Sequence, residues 1–502
     1  MRFAQESAKI KKHPKMRKRF EPQLLLGQLP INETPIPLKN RGSLTALGAA
    51  LKEIFVQPEW NEKIFNILEQ KILSNKAKTG RPGMNLWQIF VLAQVRLCQN
   101  ISYDDLHDMA NHHSMIRHLM GVETEFGYEK IKFEYQNIVD NVGLLDNATV
   151  LQLNDVIVGF GHSIFKKKEE EALRLKTDSF VVESNVHFPT DYNLLFDYAR
   201  KSIDLVSKFL KKYPELPDWR KINNWQRSLK GMMRNLGRAN VSGGKNKEKR
   251  IKEAAKNYLS KATCLMKKLE KSKPSLPMND KKDIVLHLEL DRFMGLLDKQ
   301  IDLVYRRLIK SEKIPHEEKI FSIFEDYTEW ISKGKSHPNV ELGKNTAITT
   351  DQFGLILDYH IMDHETDSQI IIPIANRLVI KYMISSWSFD KGFWHPENKQ
   401  RLTEFVPQVI MPKKGKRNKS EQEQESQRSF KLLKNKHSAV ESNINELEHC
   451  GLDRCPDRGF EHFKRYIGLA VCAYNLKRIG KKLLALEIER NNLLQRPYKL
   501  AC

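Results

Sequence analysis

Three acidic residues carry the chemistry that this chain could perform. Asp178 lies inside a run rich in Val and Phe at residues 173–188. Asp390 closes an apolar run, in Ser388-Phe389-Asp390-Lys391-Gly392. Glu441 follows in His437-Ser438-Ala439-Val440-Glu441. Carboxylates gathered from separate elements can hold hard divalent cations, which prefer oxygen ligands. Two such ions about 4 Å apart serve the attacking and leaving oxygens of a phosphodiester and neutralise the charge between them. An isolated Asp beside a strand is more often a turn former or an exposed charge. Asp390 has a stronger claim, because it stands at the carboxyl end of a strand, the edge where α/β sheets bind ligands. Glu441 has rivals. Glu446 lies about 140° around the same helix, and Glu448 falls on nearly the same face as Glu441.

These residues need elements to bring them together. Residues 1–42 are basic and then Pro-containing, and read as an extended arm. Helical periodicity fills 43–77, followed by the break Thr79-Gly80-Arg81-Pro82-Gly83 and an apolar helix through Leu86, Ile89, Phe90, Ala93 and Leu97. Two short helices, 102–110 and 113–120, are compatible with a helix-turn-helix, with Ser102 placed as an N-cap and Gly121 as the stop. A strand is expected over 173–188. From 192 to 339 the chain is helical and basic, and 247–272 with 283–310 form a candidate antiparallel hairpin. Beyond 340 the pattern turns to α/β, with strands at 346–350, 355–362, 380–389 and 408–411. Helices are expected at 368–379 and 396–405, a mobile polar loop at 413–429, and closing helices at 430–449 and 459–490. With the insert removed, a three-strand meander feeds α/β crossovers, which is the layout of an RNase H-like domain.

Composition narrows the partners. Lys and Arg number 84 against 62 acidic residues, an excess of 22 positive charges. Such an excess favours a polyanion, because each neutralised phosphate releases counterions. The six cysteines show no disulfide or zinc-ribbon spacing, and Cys450 and Cys455 read as ordinary reduced thiols. No run of about 18 apolar residues suggests a membrane span. The basic N-terminus lacks the apolar core of a secretory signal, so an intracellular (cytoplasmic) location is expected. Gly243-Gly244-Lys245 lacks phosphate-loop spacing, and no nucleophile elbow occurs. The stretch Asp363-His364-Glu365-x-Asp367 reads as a solvated turn before a helix rather than a metal site.

Four stretches resemble the DDE transposases of bacterial insertion sequences, in the broad IS-five-like and ISNCY-like grouping. They are Gly80–Gly83 with Ile101–Leu106; the block from Thr177-Asp178-Ser179 to Pro189-Thr190-Asp191; Ser388–Phe393; and His437–Glu441 with Gly451-Leu452-Asp453-Arg454 and Asn475-Leu476. The resemblance implies a multidomain α+β chain: an N-terminal all-helical DNA-binding domain (43–165) and an RNase H-like catalytic core (170–191 and 340–490) interrupted by a helical insertion (192–339). It implies that Asp178, Asp390 and Glu441 ligate Mg²⁺, or Mn²⁺, with two ions per site. It further implies cleavage and strand transfer at terminal inverted repeats of double-stranded DNA by a homodimer on paired ends. DNA contacts are then expected from Arg81, Arg117, Lys245, Lys247, Lys249, Arg250, Lys434 and His437. Where related enzymes place Tyr, Arg and Lys around the glutamate, this chain has Lys434, His437 and Glu448. The alternatives are an RNase H-like nuclease or resolvase that cuts without joining, and a non-catalytic transposase-derived DNA-binding protein.

Overall fold

The computed structural model describes residues 17–21, 28–73, 83–122, 131–166, 168, 171–216, 219, 221–315, 318–332 and 339–494. The chain divides into two compact units, one of residues 1–184 with 343–502 and one of residues 185–342.

The first unit is built on a mixed sheet. Its middle strand is β1 (Leu173–Ser184), and the elements that pair around it lie far away in the chain. After the short strand β2 (Glu329–Ser332) of the second unit come β3 (Val340–Thr350), β4 (Ile356–Ile361), β5 (Ile384–Phe389), β6 (Gln408–Ile410) and β7 (Arg454–Cys455). β3 runs antiparallel to β1, and β4 antiparallel to β3. On the other side β5 runs parallel to β1, and β6 parallel to β5. β7 adds to the far end of β1, opposite Glu183 and Ser184.

Side chains alternate faces along a strand, and β1 uses this fully. Leu173, Leu175 and Thr177 are buried on one face, while Arg174, Lys176 and Asp178 occupy the other. The apolar face packs with Ile370, Ile374, Leu378, Trp387 and Phe389 into one core. A buried polar line crosses three strands within it. Thr177 Oγ1 lies 2.7 Å from Thr349 Oγ1 and accepts from Trp387 Nε1 at 2.8 Å, which locks β3, β1 and β5 in register.

Helices complete this unit. The N-terminal set is α1 (Ser43–Val56), α2 (Pro58–Ile72), α3 (Leu86–Cys98), α4 (Tyr103–His112), α5 (Ser114–Leu119), α6 (Tyr135–Val142) and α7 (Asn147–Phe165). Ser102 caps α4 in a reciprocal box with Asp105, and Gly121, at φ +67°, stops the chain after α5. Residues 43–165 share this compact unit with the sheet instead of standing apart as a unit of their own.

The second unit holds α8 (Asp191–Lys212), α9 (Ile222–Val241), α10 (Lys247–Ser272) and α11 (Lys281–Leu308). They close around Tyr198, Phe209, Tyr258, Leu265 and Leu297.

The remaining helices of the first unit are α12 (Asp367–Val379), α13 (Pro396–Phe405), α14 (Lys419–Ser426), α15 (Arg428–His437), α16 (Ala439–Leu447) and α17 (Phe460–Leu494). α17 is buried from Phe463 to Gly480 and packs on α1, α3, α7 and α16. A Cβ at Gly480 would sit 1.7 Å from the Ala46 carbonyl oxygen, so the two helix backbones meet there.

Several sequence expectations need correction, among them the strand at 380–389, which begins only at Ile384. The first strand ends at Ser184 rather than at 188. Residues 413–429 contain helix α14 rather than an open loop. A reciprocal Asn418–Glu421 box starts this helix, and Lys413 donates to Glu421 at 2.8 Å. The first closing helix is broken at Ser438 into α15 and α16, and then ends in a tight turn where Gly451 adopts φ +97°.

One buried amide joins the parts. Asn475 of α17 accepts from Ile356 N–H at 2.8 Å and donates to Ile356 O at 2.9 Å and to Asn154 Oδ1 at 2.8 Å. Losing several buried partners at once costs about 2–4 kcal/mol. Asn475→Leu is expected to lower the stability read from urea unfolding by that amount; an unchanged urea midpoint would show that the network contributes nothing.

Candidate active site

The register fixes the first contact of the site. Thr177 stands opposite Phe389, so the next residues, Asp178 on β1 and Asp390 just past β5, come side by side. Asp390 begins a short turn of helix through Lys391–Phe393. Glu441 lies in the first turn of α16, whose approach to the sheet is guided by packing against β1. Asn443, on the same helix, accepts from the buried Tyr474 hydroxyl at 3.0 Å and ties α16 to α17.

The electrostatics show that these groups share one field. Burial pushes the Asp178 carboxyl up to about 6, and the negative charges of Asp390, Asp367 and Glu441 push the same way. The Ser179 N–H, which donates to Asp178 at 2.8 Å, opposes them. Like charges brought together in a partly desolvated place favour protonation or a cation.

Asp367 is the member that sequence reasoning missed. It opens α12, and its Oδ1 accepts from Ser179 Oγ at 2.8 Å. Burial raises its carboxyl above the usual range, and Asp390 adds to the effect. A Cβ on Gly392 would fall 2.8 Å from Asp367 Oδ2, so the glycine two residues after Asp390 permits the close approach. Asp363, His364 and Glu365, ahead of it, are exposed. Asp363 pairs with the buried Lys344, His360 Nε2 lies 2.7 Å from Glu365, and His364 takes a positive φ. The available signal was position: the first turn of a capped helix that follows β4.

The rival glutamates go elsewhere. Glu446 accepts from Lys481 at 2.6 Å and pairs with Lys477 at 3.1 Å, which holds its carboxyl below the usual range. Glu448 enters the turn that ends α16.

The expected DNA contacts are scattered. Arg117 must be withdrawn: it is 1% exposed, and its guanidinium donates to the carbonyls of Ala110 and Ile131 at 3.1 Å. It stitches α4 to the segment before α6 and cannot reach a phosphate. Arg81 lies outside the described residues. In the second unit Lys245, Lys249 and Arg250 are exposed and Lys247 is partly so, while Arg250 also donates to the Gly243 carbonyl at 2.6 Å. Lys434 is exposed on α15. His437 is half-buried, with Nδ1 3.1 Å from Ser388 Oγ. Burial lowers its pKa to about 4, so it is neutral at pH 7.

The donor set fits hard divalent cations, since it offers carboxylate oxygens from four elements, and burial with the neighbouring negative charges raises the Asp178 carboxyl to about 6. A family model described as the transposase DDE domain matches residues 309–476, a stretch that includes Asp390 and Glu441 and begins well after Asp178. That match supports a transposase of the DDE type, for which an RNase H-like core and divalent metal are typical. No curated protein and no solved structure shows a significant match to the chain. Among the described residues no helix is long and apolar enough to cross a membrane.

The raised Asp178 carboxyl has a measurable sign. Between its usual 3.8 and about 6, the folded chain keeps a proton that the unfolded chain releases. The associated stability is therefore present below about pH 4 and lost as pH rises through about 6. Asp178→Asn removes that loss. In EDTA the variant is expected to melt a few degrees above the parent at pH 7.5, with the gap closing toward pH 4; equal melting at both pH values would contradict the buried, like-charged environment.

Proposed function

We propose that the chain is a DDE transposase that cuts DNA at the ends of an insertion sequence and joins the freed 3′ ends to a target. What supports this reading is the Thr177–Phe389 register, which sets Asp178 beside Asp390, and the influence of Asp390, Asp367 and Glu441 on the Asp178 carboxyl. The DDE-domain match over residues 309–476 supports it from the sequence side.

In this mechanism Asp178, Asp390 and Glu441 would hold divalent cations, Mg²⁺ or Mn²⁺. When bound, these supply charge neutralisation at the phosphate and a nucleophile at neutral pH. Asp178 and Asp390 lie next to one another in register, so both face the same phosphodiester. Glu441 approaches from the helical side. Asp367 receives the Ser179 hydroxyl and steadies the edge on which Asp178 is held. His437, neutral at working pH, presents a donor or acceptor beside Asp390 without adding charge. No side chain need become covalently attached to DNA, because the same carboxylates can serve water first and the freed 3′-hydroxyl second. The helical residues 43–165 would bind terminal inverted repeats, and two protomers would pair the ends. The exposed Lys245, Lys249 and Arg250 of the second unit, with the partly exposed Lys247, would hold flanking DNA.

The test uses purified full-length protein, Mg²⁺ and DNA bearing the ends that flank its own gene. Cutting at the element boundary and end-joined product are expected, both falling below detection in Asp178→Asn and Asp390→Asn while end binding persists. Asp367→Asn should raise the Mg²⁺ concentration for half-maximal cutting by about 10- to 100-fold, as loss of a supporting carboxylate does. Cutting without joining would replace the transposase with a nuclease. Sequence-specific binding with no chemistry would leave a DNA-binding protein.

A further inference from the structure

A cavity of about 370 Å³ opens on the face of β1 that carries Asp178, with Arg174, Lys176, Ser386, Ser388, Lys436 and Ser442 among its lining residues. Its lining contains no carboxylate and no aromatic side chain. The sheet builds it in register: Ser386 lies opposite Arg174, and Ser388 opposite Lys176. Arg174, Lys176 and Asp178 then form a row on one face, each about 6.6 Å from the next at the usual rise of a strand. Two cations therefore lead directly to the first carboxylate, and Lys436 joins them from α15.

These cations have no direct side-chain partner. Among the described residues none of the three side chains makes a hydrogen bond or ion pair, whereas cations nearby in the fold are matched. Arg377 donates to Asp358 at 2.6 Å, and Lys381 to Asp155 at 2.7 Å. Lys176 is half-buried. One half-buried and two exposed cations beside serine hydroxyls suit an anion with several acceptor oxygens.

We propose that this pocket binds a phosphodiester of the same nucleic-acid strand whose neighbouring linkage lies at Asp178 and Asp390. The inference rests on the function proposed above. A strand is favoured over a small free anion because the cations form a row ending at the carboxylates rather than a closed cage. Without aromatic side chains the pocket offers no stacking platform for a base. It thus grips backbone, which positions DNA without reading its sequence.

Salt dependence of binding tests this in the full chain without metal. Fluorescein-labelled 20-base-pair duplexes of two unrelated sequences are titrated by anisotropy in EDTA at several salt concentrations. Parent, Arg174→Gln/Lys436→Gln and Lys176→Met are compared, with circular dichroism to confirm folding. Arg174 and Lys436 are exposed, so the double variant should fold. The slope of log affinity against log salt is expected to flatten by roughly 0.9 for each phosphate that is no longer neutralised, equally for both sequences. Unchanged slopes in both variants would overturn the proposal. So would inorganic pyrophosphate binding that the variants lose while the DNA slope stays the same, since the pocket would then serve a small anion. Mg²⁺-dependent cutting by the parent is scored separately. Flattened slopes without any cutting support the pocket and remove the enzyme; cutting with unchanged slopes removes the pocket alone.

Discussion

The half-buried Asp178 carboxyl, on which Asp390, Asp367 and Glu441 all act, is the constraint on which the candidate site depends. Carboxylates do not gather spontaneously in a place where burial already disfavours their charge. They meet because each stands on an element whose position is set by other forces. Asp178 and Asp390 are fixed by strand register, which the buried Thr349–Thr177–Trp387 line enforces on the opposite face of the sheet. Asp367 is fixed by the start of a capped helix, and Glu441 by a helix tied to α17 through Tyr474. The apolar core and its few buried polar bonds therefore hold together what electrostatics would separate.

The same face of β1 carries opposite charge within three alternating positions. Arg174 and Lys176 precede Asp178, so a basic pocket abuts an acidic edge. Such a dipole suits a polyanion that must also approach carboxylates. In the proposed reaction the cations would attract the backbone on one side, and the reacting linkage would need neutralising metal on the other. A neutral His437 between the two fields avoids adding a charge that would favour either one.

The long chain excursion between β1 and β3 has a cost in legibility rather than in geometry. Once β1 is made, residues 185–342 fold as a unit with their own core, and β3 returns to pair antiparallel along β1 from Gly343 opposite Glu183 to Thr350 opposite Lys176. Chain distance is immaterial to a strand once its neighbours supply the ladder. A family model that starts at residue 309 consequently captures the later carboxylates without the first.

Much of this was readable from the residues. The Val- and Phe-rich run around Asp178 and the apolar run before Asp390 announced strands, because β-branched and aromatic residues pack well on a pleated, half-buried surface. Ser102 with Asp105 and Gly121 marked helix ends, since caps satisfy backbone groups through local contacts alone. Charge excess pointed to a polyanion. What depends on non-local contacts was not legible. Arg117 has the composition of a DNA contact, yet carbonyls from 7 and 14 residues away enclose it. Glu446 and Glu441 look alike along the helix until Lys477 and Lys481 of α17 claim one of them. Asp367 sits in an acidic turn resembling any solvated one until Ser179, 188 residues earlier, donates to it. The sequence by itself determined which segments are strands and helices and which residue types could do chemistry, because those follow from local period and capping. Only the tertiary structure decided which carboxylates and cations share a site, because that choice is made by register and packing between segments far apart in the chain.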